Sequence, residues 1–565
     1  MRLTGAEYIV ECLKAEGVKH IFGVSGNSLL PLMDVLHRTP EIRYIQAQNE
    51  QSAAYMANGY ARATRGTSVC LVSPGAGVTN AVSGIAQALA TGAPTLLMAT
   101  EEPSRLEGLG HSLAHALETQ ALMRPVTKLA MRVEPAERIG ESIRAAFRVT
   151  NAGRKGPVYL GIPTDVFRET TDVSIYQPEQ YRTRSKVRGD PRDIRKAVEV
   201  LARAERPVIL ADDAVYWDNA QELLVRLAER MGMPVVGTEN NKGVIAEDHV
   251  LAMGVASIHG SPPAIYASQN ADVILALGCN FGQFTTAGFG HRIVSKNARL
   301  IQVDADPLSL GKIYPMEVGI EGNIDSVLQD LLQELGSTKS ERPPLSSSGW
   351  VKETTRRRDQ WEASIQAQQK SDKRPIQRFR LMNDLRKALP REAIVAGGSG
   401  GTHAWFGYAF KALVHTTYFG GWHATGAGIG ESLGAKIALP NRTVVAVCGD
   451  GGFMMSLPEM ATAMLHDIPV LCVICHNNTF GNMRHTQIAR FGGRFMATDL
   501  NIPNLADIAR DFGAYGERVE NPDEIIPAVK RALSSDKFAL LDVMIDNSPE
   551  NLVPPDSIGA RGGWQ

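Results

Sequence analysis

Apolar residues recur in short unbroken runs, each followed by turn residues and then by a stretch of helical period; 67–72, 95–99, 207–211, 273–278, 300–304, 443–448 and 470–475 all read this way. A strand that is apolar throughout is buried on both faces, the mark of a parallel sheet covered by helices. Three such blocks predict three stacked α/β domains, each a mainly parallel sheet flanked by helices: 1–181, 191–335 and 376–547. Two polar stretches, 182–190 and 336–375, break the pattern and read as linkers, the second with one possible helix at 350–369. The proline- and glycine-rich end, 548–565, reads as a tail or lid rather than as core.

Composition narrows the class. The 565 residues carry 59 Lys+Arg against 60 Asp+Glu, so no charge excess marks a nucleic-acid or membrane-surface partner. No apolar run is long enough to span a bilayer, and the start lacks the basic-then-apolar build of a secretory signal. Six cysteines in a chain of this length fit reduced thiols better than a disulfide scaffold. These features point to a cytoplasmic multidomain enzyme.

The chemistry gathers in the third block. Gly449-Asp450-Gly451-Gly452-Phe453 ends one strand, and His476-Asn477-Asn478-Thr479 ends the next. Between them Ser456 and Glu459 have capping-box spacing for a helix through about His466. Strand, helix and parallel strand bring Asp450 and Asn477 to adjacent strand ends, where they can share one hard cation with a carbonyl near Thr479. Carboxylate, amide and carbonyl oxygens suit Mg²⁺, and the glycines let backbone N–H groups approach phosphates. A Gly-Asp-Gly turn alone is more often only a turn; the Asn at the next strand end shifts the balance. Cys472-Val-Ile-Cys475-His476 spells a haem-attachment pattern, but inside an apolar strand with no export signal it is set aside.

A second match lies in the first block: Asn49-Glu50-Gln51-Ser52-Ala53-Ala54-Tyr55-Met56-Ala57-Asn58-Gly59-Tyr60-Ala61-Arg62, followed by Ser73-Pro74-Gly75-Ala76-Gly77-Val78-Thr79-Asn80. With these motifs the whole chain resembles thiamine-diphosphate enzymes of the acetolactate synthase, benzoylformate decarboxylase and benzaldehyde lyase group. Through Glu50-Gln51, Gly59–Thr64 and Pro125-Val126-Thr127-Lys128 it is most similar to acetolactate synthase-like chains. The resemblance implies a pyrimidine-binding domain, a central Rossmann-like domain and a diphosphate- and Mg²⁺-binding domain. Glu50 matches the glutamate that hydrogen-bonds the aminopyrimidine and promotes loss of the thiazolium C2 proton. Asp450, Asn477 and Thr479 match the metal ligands. Gly400, Gly401, Thr402, His423, Thr425, Gly449, Gly451, Gly452, Phe453, Asn477, Thr479, Phe480 and Gly481 match cofactor-binding positions. Each active site then takes its pyrimidine and diphosphate domains from two subunits, in a homodimer or homotetramer.

The sequence departs from that pattern at several points. Thr425 stands where relatives place a bulky apolar residue that props the cofactor. His423 stands where Gly is common, beside the aminopyrimidine, where its imidazole can reach the substrate as a proton donor. Asn27 and His115 match substrate-facing positions of the first domain. His476 replaces a usual Asn and reads as a buried structural histidine. Acetolactate synthases also bind FAD through a glycine-rich turn in the central domain; here that turn is Ala211-Asp212-Asp213-Ala214, whose carboxylates would repel a pyrophosphate, so FAD is not expected. The resemblance implies decarboxylation of a 2-oxo acid with acyl transfer to a second carbonyl; simple decarboxylation or an aldehyde or 2-hydroxyacyl lyase is the alternative. Glu50, Asp450 and Asn477 together argue against a non-catalytic cofactor-binding paralogue.

Overall fold

The computed structural model describes residues 1–183, 185–337, 348–414, 418–420, 424–555 and 557–558. Among these residues the strands form three six-stranded parallel sheets and one two-stranded antiparallel ribbon, Arg2–Thr4 with Thr170–Asp172. The first sheet holds β1 (His20–Gly23), β2 (Arg43–Gln46), β3 (Ser68–Val72), β4 (Thr95–Glu101), β5 (Leu129–Arg132) and β6 (Val158–Pro163), in the order β2-β1-β3-β4-β6-β5. The central sheet holds β7 (Pro207–Ala211), β8 (Val235–Gly237), β9 (Ala252–Val255), β10 (Val273–Leu277), β11 (Arg299–Asp304) and β12 (Val318–Glu321), in the order β9-β8-β7-β10-β11-β12. The last holds β13 (Ile394–Gly397), β14 (Tyr418–Phe419), β15 (Val444–Gly449), β16 (Leu471–His476), β17 (Tyr515–Val519) and β18 (Ala539–Met544), in the order β14-β13-β15-β16-β18-β17. The first and last sheets thus share one topology.

Five helices position the chemistry: α1 (Glu50–Thr64), α2 (Ala76–Ala90), α3 (Arg378–Ala388), α4 (Gly401–Ala409) and α5 (Ala427–Ala438). Asn49 caps α1 by accepting the Gln51 N–H at 2.8 Å, so the helix starts on Glu50. α1 and α5 pack together so that the first and last sheets share one hydrophobic core, which holds Ile45, Ala53 and Val72 of the first block and Ile429, Leu433 and Ala446 of the last. Glycine is required at that crossing. A Cβ on Gly59 would sit 2.0 Å from the Glu431 carbonyl oxygen, and one on Gly434 would sit 1.9 Å from that of Met56. The second linker is helical over Gly349–Ser364 and Gln366–Gln369, as its pattern predicts.

Two local expectations need correction. Ser456 does not cap a helix: the chain turns through Pro458, and the next helix is Glu459–Leu465 with no side-chain cap. The Glu459 carboxylate instead accepts the Thr462 hydroxyl at 2.7 Å and the Gln48 amide of the first block at 3.3 Å, a use that spacing along the chain cannot reveal. The tail is also not all surface. Pro549–Leu552 forms a helical turn, and Leu552 and Val553 are buried.

In the central sheet the strand order reverses between β7 and β10, the point where open parallel sheets bind ligands. Here Asp212 and Asp213 are buried, the Thr238 hydroxyl donates to Asp212, and Arg154 reaches across from the first block to Asp213 at 3.3 Å. Burial, reinforced by the neighbouring Asp213 charge, pushes the Asp212 carboxyl up. The Gly278 backbone closes on Ala214 so tightly that a Cβ would lie 2.2 Å from the alanine methyl.

Candidate active site

The carboxyl ends of β13, β15 and β16 open onto a cavity of about 300 Å³. Its floor is glycine backbone. Gly400, with φ of 74°, turns the chain into α4, and Gly401 and Thr402 begin that helix. Gly449, Gly451 and Gly452 flank Asp450, and Gly481 opens the helix Gly481–Phe491. Two helix N-termini with free N–H groups therefore face one space, a natural anion site.

Asp450 is buried and held by three amides: Oδ1 accepts from Gly451 at 2.8 Å, and Oδ2 from Asn477 at 3.0 Å and Asn478 at 2.6 Å. Burial pushes its carboxyl up, and these amides pull it part of the way back. Asn477 lines the same cavity, and its Nδ2 is buried without a hydrogen-bond partner. Thr479 and Phe480 also line it; the Thr479 hydroxyl donates to Thr498 O at 2.8 Å, and the Phe480 amide to the same carbonyl at 2.9 Å. His476 sits one residue before Asn477, wholly buried, with Nδ1 2.7 Å from Asp542 and Nε2 3.3 Å from Asn478 Oδ1. Burial alone would pull its imidazole down, but the Asp542 carboxylate outweighs this and raises it.

Thr425 lies in the cavity, its hydroxyl 2.8 Å from that of Ser399 and its methyl 3.6 Å from where a Gly452 Cβ would be. Phe453 does not line the cavity: its ring is fully buried in the core shared by the first and last sheets. His423 lies outside the described residues. Sequence reasoning missed Arg378, His259, Phe284, Ser399 and Cys448, all of which line the cavity. Ser399 was within reach, since it sits inside the glycine-rich stretch before α4.

The other expected residues assemble separately, at the carboxyl ends of the first sheet. Asn27 follows β1 and is exposed. Glu50 follows β2, and its Oε2 accepts Asn80 Nδ2 at 2.9 Å. Gly75 follows β3 with φ of 61°, and a Cβ there would lie 2.8 Å from the His115 carbonyl oxygen. His115, exposed, lines a second cavity with Glu101 and Arg132. Glu101 ends β4 and anchors this segment, accepting from Thr119 at 2.6 Å, Tyr159 at 3.1 Å and Arg132 at 2.7 Å. Asn27, Glu50 and His115 do not line the Asp450 cavity.

Three family models match successive stretches of the chain. Residues 3–123 match the thiamine pyrophosphate enzyme N-terminal TPP binding domain, 194–331 its central domain, and 398–543 its C-terminal TPP binding domain. The chain belongs to the thiamine pyrophosphate enzyme family, and it is a thiamine-diphosphate-dependent enzyme of acetolactate synthase-like type. It is 34% identical over 567 residues to a probable acetolactate synthase large subunit of Methanocaldococcus jannaschii, covering 98% of this chain and 94% of the relative. It is 30% identical to the acetolactate synthase large subunit of Haemophilus influenzae, covering 100% and 97%. Against acetolactate synthase isozyme 3 large subunit of Escherichia coli the figure is 29%, covering 99% and 97%. No helix among the described residues is long and apolar enough to cross a membrane.

Proposed function

We propose that the protein decarboxylates a 2-oxo acid and transfers the acyl group to a second carbonyl compound, using thiamine diphosphate held by Mg²⁺. The observation that carries this is the Asp450–Asn477 pair at adjacent strand ends over a glycine floor, in a chain whose relatives are named acetolactate synthases. The residues fit the group. Asp450 offers about four lone-pair sites, of which the amides take three, so one stays available to a hard cation. Without a Cβ at Gly401, Gly449 and Gly451, a diphosphate can approach the backbone. When bound, thiamine diphosphate supplies the electron sink for the carbon–carbon chemistry.

The chain's own residues orient and protonate. Asn80 fixes one oxygen of Glu50, while Oε1, which makes no hydrogen bond among the described residues, is left to hold or release a proton. Oε1 lies 3.5 Å from the Gly77 Cβ position, so the absent side chain leaves room beside it. Gly75, Glu101 and Thr119 hold the His115 segment at the same sheet end, where His115 and Asn27 serve as polar groups facing substrate. Because Glu50 belongs to one half-site and Asp450 to the other, the working unit in this reading is a dimer, or a tetramer of dimers, with each site shared between two chains. FAD is not part of the reading: buried acids and the Gly278–Ala214 contact occupy the central crevice.

A product assay tests the proposal. Pyruvate and larger 2-oxo acids, alone and with an aldehyde, should give a coupled hydroxy-ketone product; CO₂ release with no coupled product would exclude acyl transfer and leave a simple decarboxylase. Glu50→Gln should abolish C2 proton exchange of bound cofactor without unfolding the chain, and unchanged turnover in that variant would sink the Glu50 assignment.

A further inference from the structure

Arg378, the first residue of α3, is an unusual neighbour for the cofactor cavity. It is 3% exposed, lines the cavity with Asp450, Thr402 and Cys475, and is its only permanently cationic side chain among the described residues. Nε donates to the Asn551 carbonyl at 2.7 Å, but Nη1 is buried with no hydrogen-bond partner. The guanidinium has no ion pair among the described residues. The carboxylates whose field reaches it are engaged elsewhere: Asp450 with three amides, and Asp546 with Ser548 N at 2.9 Å, Ser548 Oγ at 2.8 Å and Asn551 Nδ2 at 2.8 Å. Burial accordingly pushes its proton affinity down. A buried charge without a counter-charge is strongly destabilising, so a fold that keeps one beside an anion-shaped cavity gains when the anion arrives.

We infer that Arg378 is a binding residue for the diphosphate, supplying the positive charge that the backbone N–H cradle lacks and linking that charge to the C-terminal tail. The link is short. The Asn551 carbonyl that Arg378 holds also accepts Trp405 Nε1 at 3.1 Å, and the carbonyl of the next residue, Leu552, lies 2.7 Å from where a Gly401 Cβ would be. One guanidinium therefore ties together the cradle, the tail and the space between them. The inference rests on the cofactor reading above.

The test is calorimetric titration of inorganic pyrophosphate and of thiamine diphosphate, each with saturating Mg²⁺, with folding checked by circular dichroism and melting temperature. Wild-type protein should take up both. Arg378→Gln and Arg378→Met should each weaken both ligands by about tenfold or more, the scale of a lost charge-assisted hydrogen bond. Trp405→Phe, which loosens the same carbonyl without touching charge, should stay within about threefold of wild type. Pyrophosphate affinity unchanged in a folded Arg378→Gln protein, or an equal loss in Trp405→Phe, would overturn the inference while leaving the cofactor reading intact. Failure of wild-type protein to bind either ligand would overturn the cofactor reading itself.

Discussion

Glu431 offers a quantitative test of how the first and last domains are joined. Its carboxylate is 1% exposed inside the α1–α5 crossing, where it accepts from Gln87 and from Asn58 Nδ2 at 3.3 Å and lies 3.8 Å from Arg62 Nη1. Burial outweighs these partners and pushes it up from the ordinary 4.5 to about 7. In the opened state the group ionises near its ordinary value. Below that value both states keep the proton and Glu431 contributes no pH dependence. Between 4.5 and about 7 the packed state holds a proton that the opened state has lost, so stability falls as pH rises, and above about 7 the full penalty applies. At about 1.4 kcal/mol per pH unit, the penalty at pH 8 is on the order of 3 kcal/mol. Glu431→Gln keeps the shape and the two amide donors but removes the titration. Hydrogen-exchange mass spectrometry of peptides covering α1 and α5, corrected for intrinsic rates, should show protection in the variant exceeding wild type by on the order of 100-fold at pH 8, shrinking to roughly fourfold near pH 5 and to none below about pH 4. If both proteins lose protection equally as pH rises, the carboxylate does not carry the pH dependence and the reasoning fails.

Two further outcomes follow from close contacts. Gly401→Ala would bring a methyl to 2.7 Å from the Leu552 carbonyl, an overpacking that costs about 1–3 kcal/mol; relieved by displacing the tail or the start of α4, it should weaken thiamine diphosphate binding by roughly tenfold or more, read by calorimetry. Purified protein should show no flavin absorbance, and added FAD should leave its melting temperature unchanged, because the central crevice presents Asp212, Asp213 and a closed Gly278–Ala214 contact; a visible flavin band would refute this.

What the sequence discloses and what it hides follow one physical division. Strands such as Ser68–Val72 and Val444–Gly449 were legible because a parallel strand covered on both faces must be apolar throughout, a local demand written in consecutive residues. Asp450 and Asn477 were legible for the same reason, since strand–helix–strand order brings consecutive strand ends together, and the β15–β16 pairing of Gly449 with Cys475 does so. Glu459 was misread because its partner is the Gln48 amide, far away in the chain, and capping-box spacing looks only three residues ahead. Arg378 was invisible for a related reason: it follows a polar linker rich in other arginines, and only the fold surrounds it with Asn551, Thr402 and Asp450. The shared topology of the first and last sheets was hidden too, because it lies in the order of strands, not in a repeated motif. That topology accounts for two clusters of candidate residues at matching ends of two sheets. Each sheet offers the same set of strand ends; one was furnished with Glu50, Asn80 and the His115 segment, the other with Asp450, Asn477 and a glycine floor. Glycines at the α1–α5 crossing let those two helices close on each other, so that the first and last sheets share one hydrophobic core.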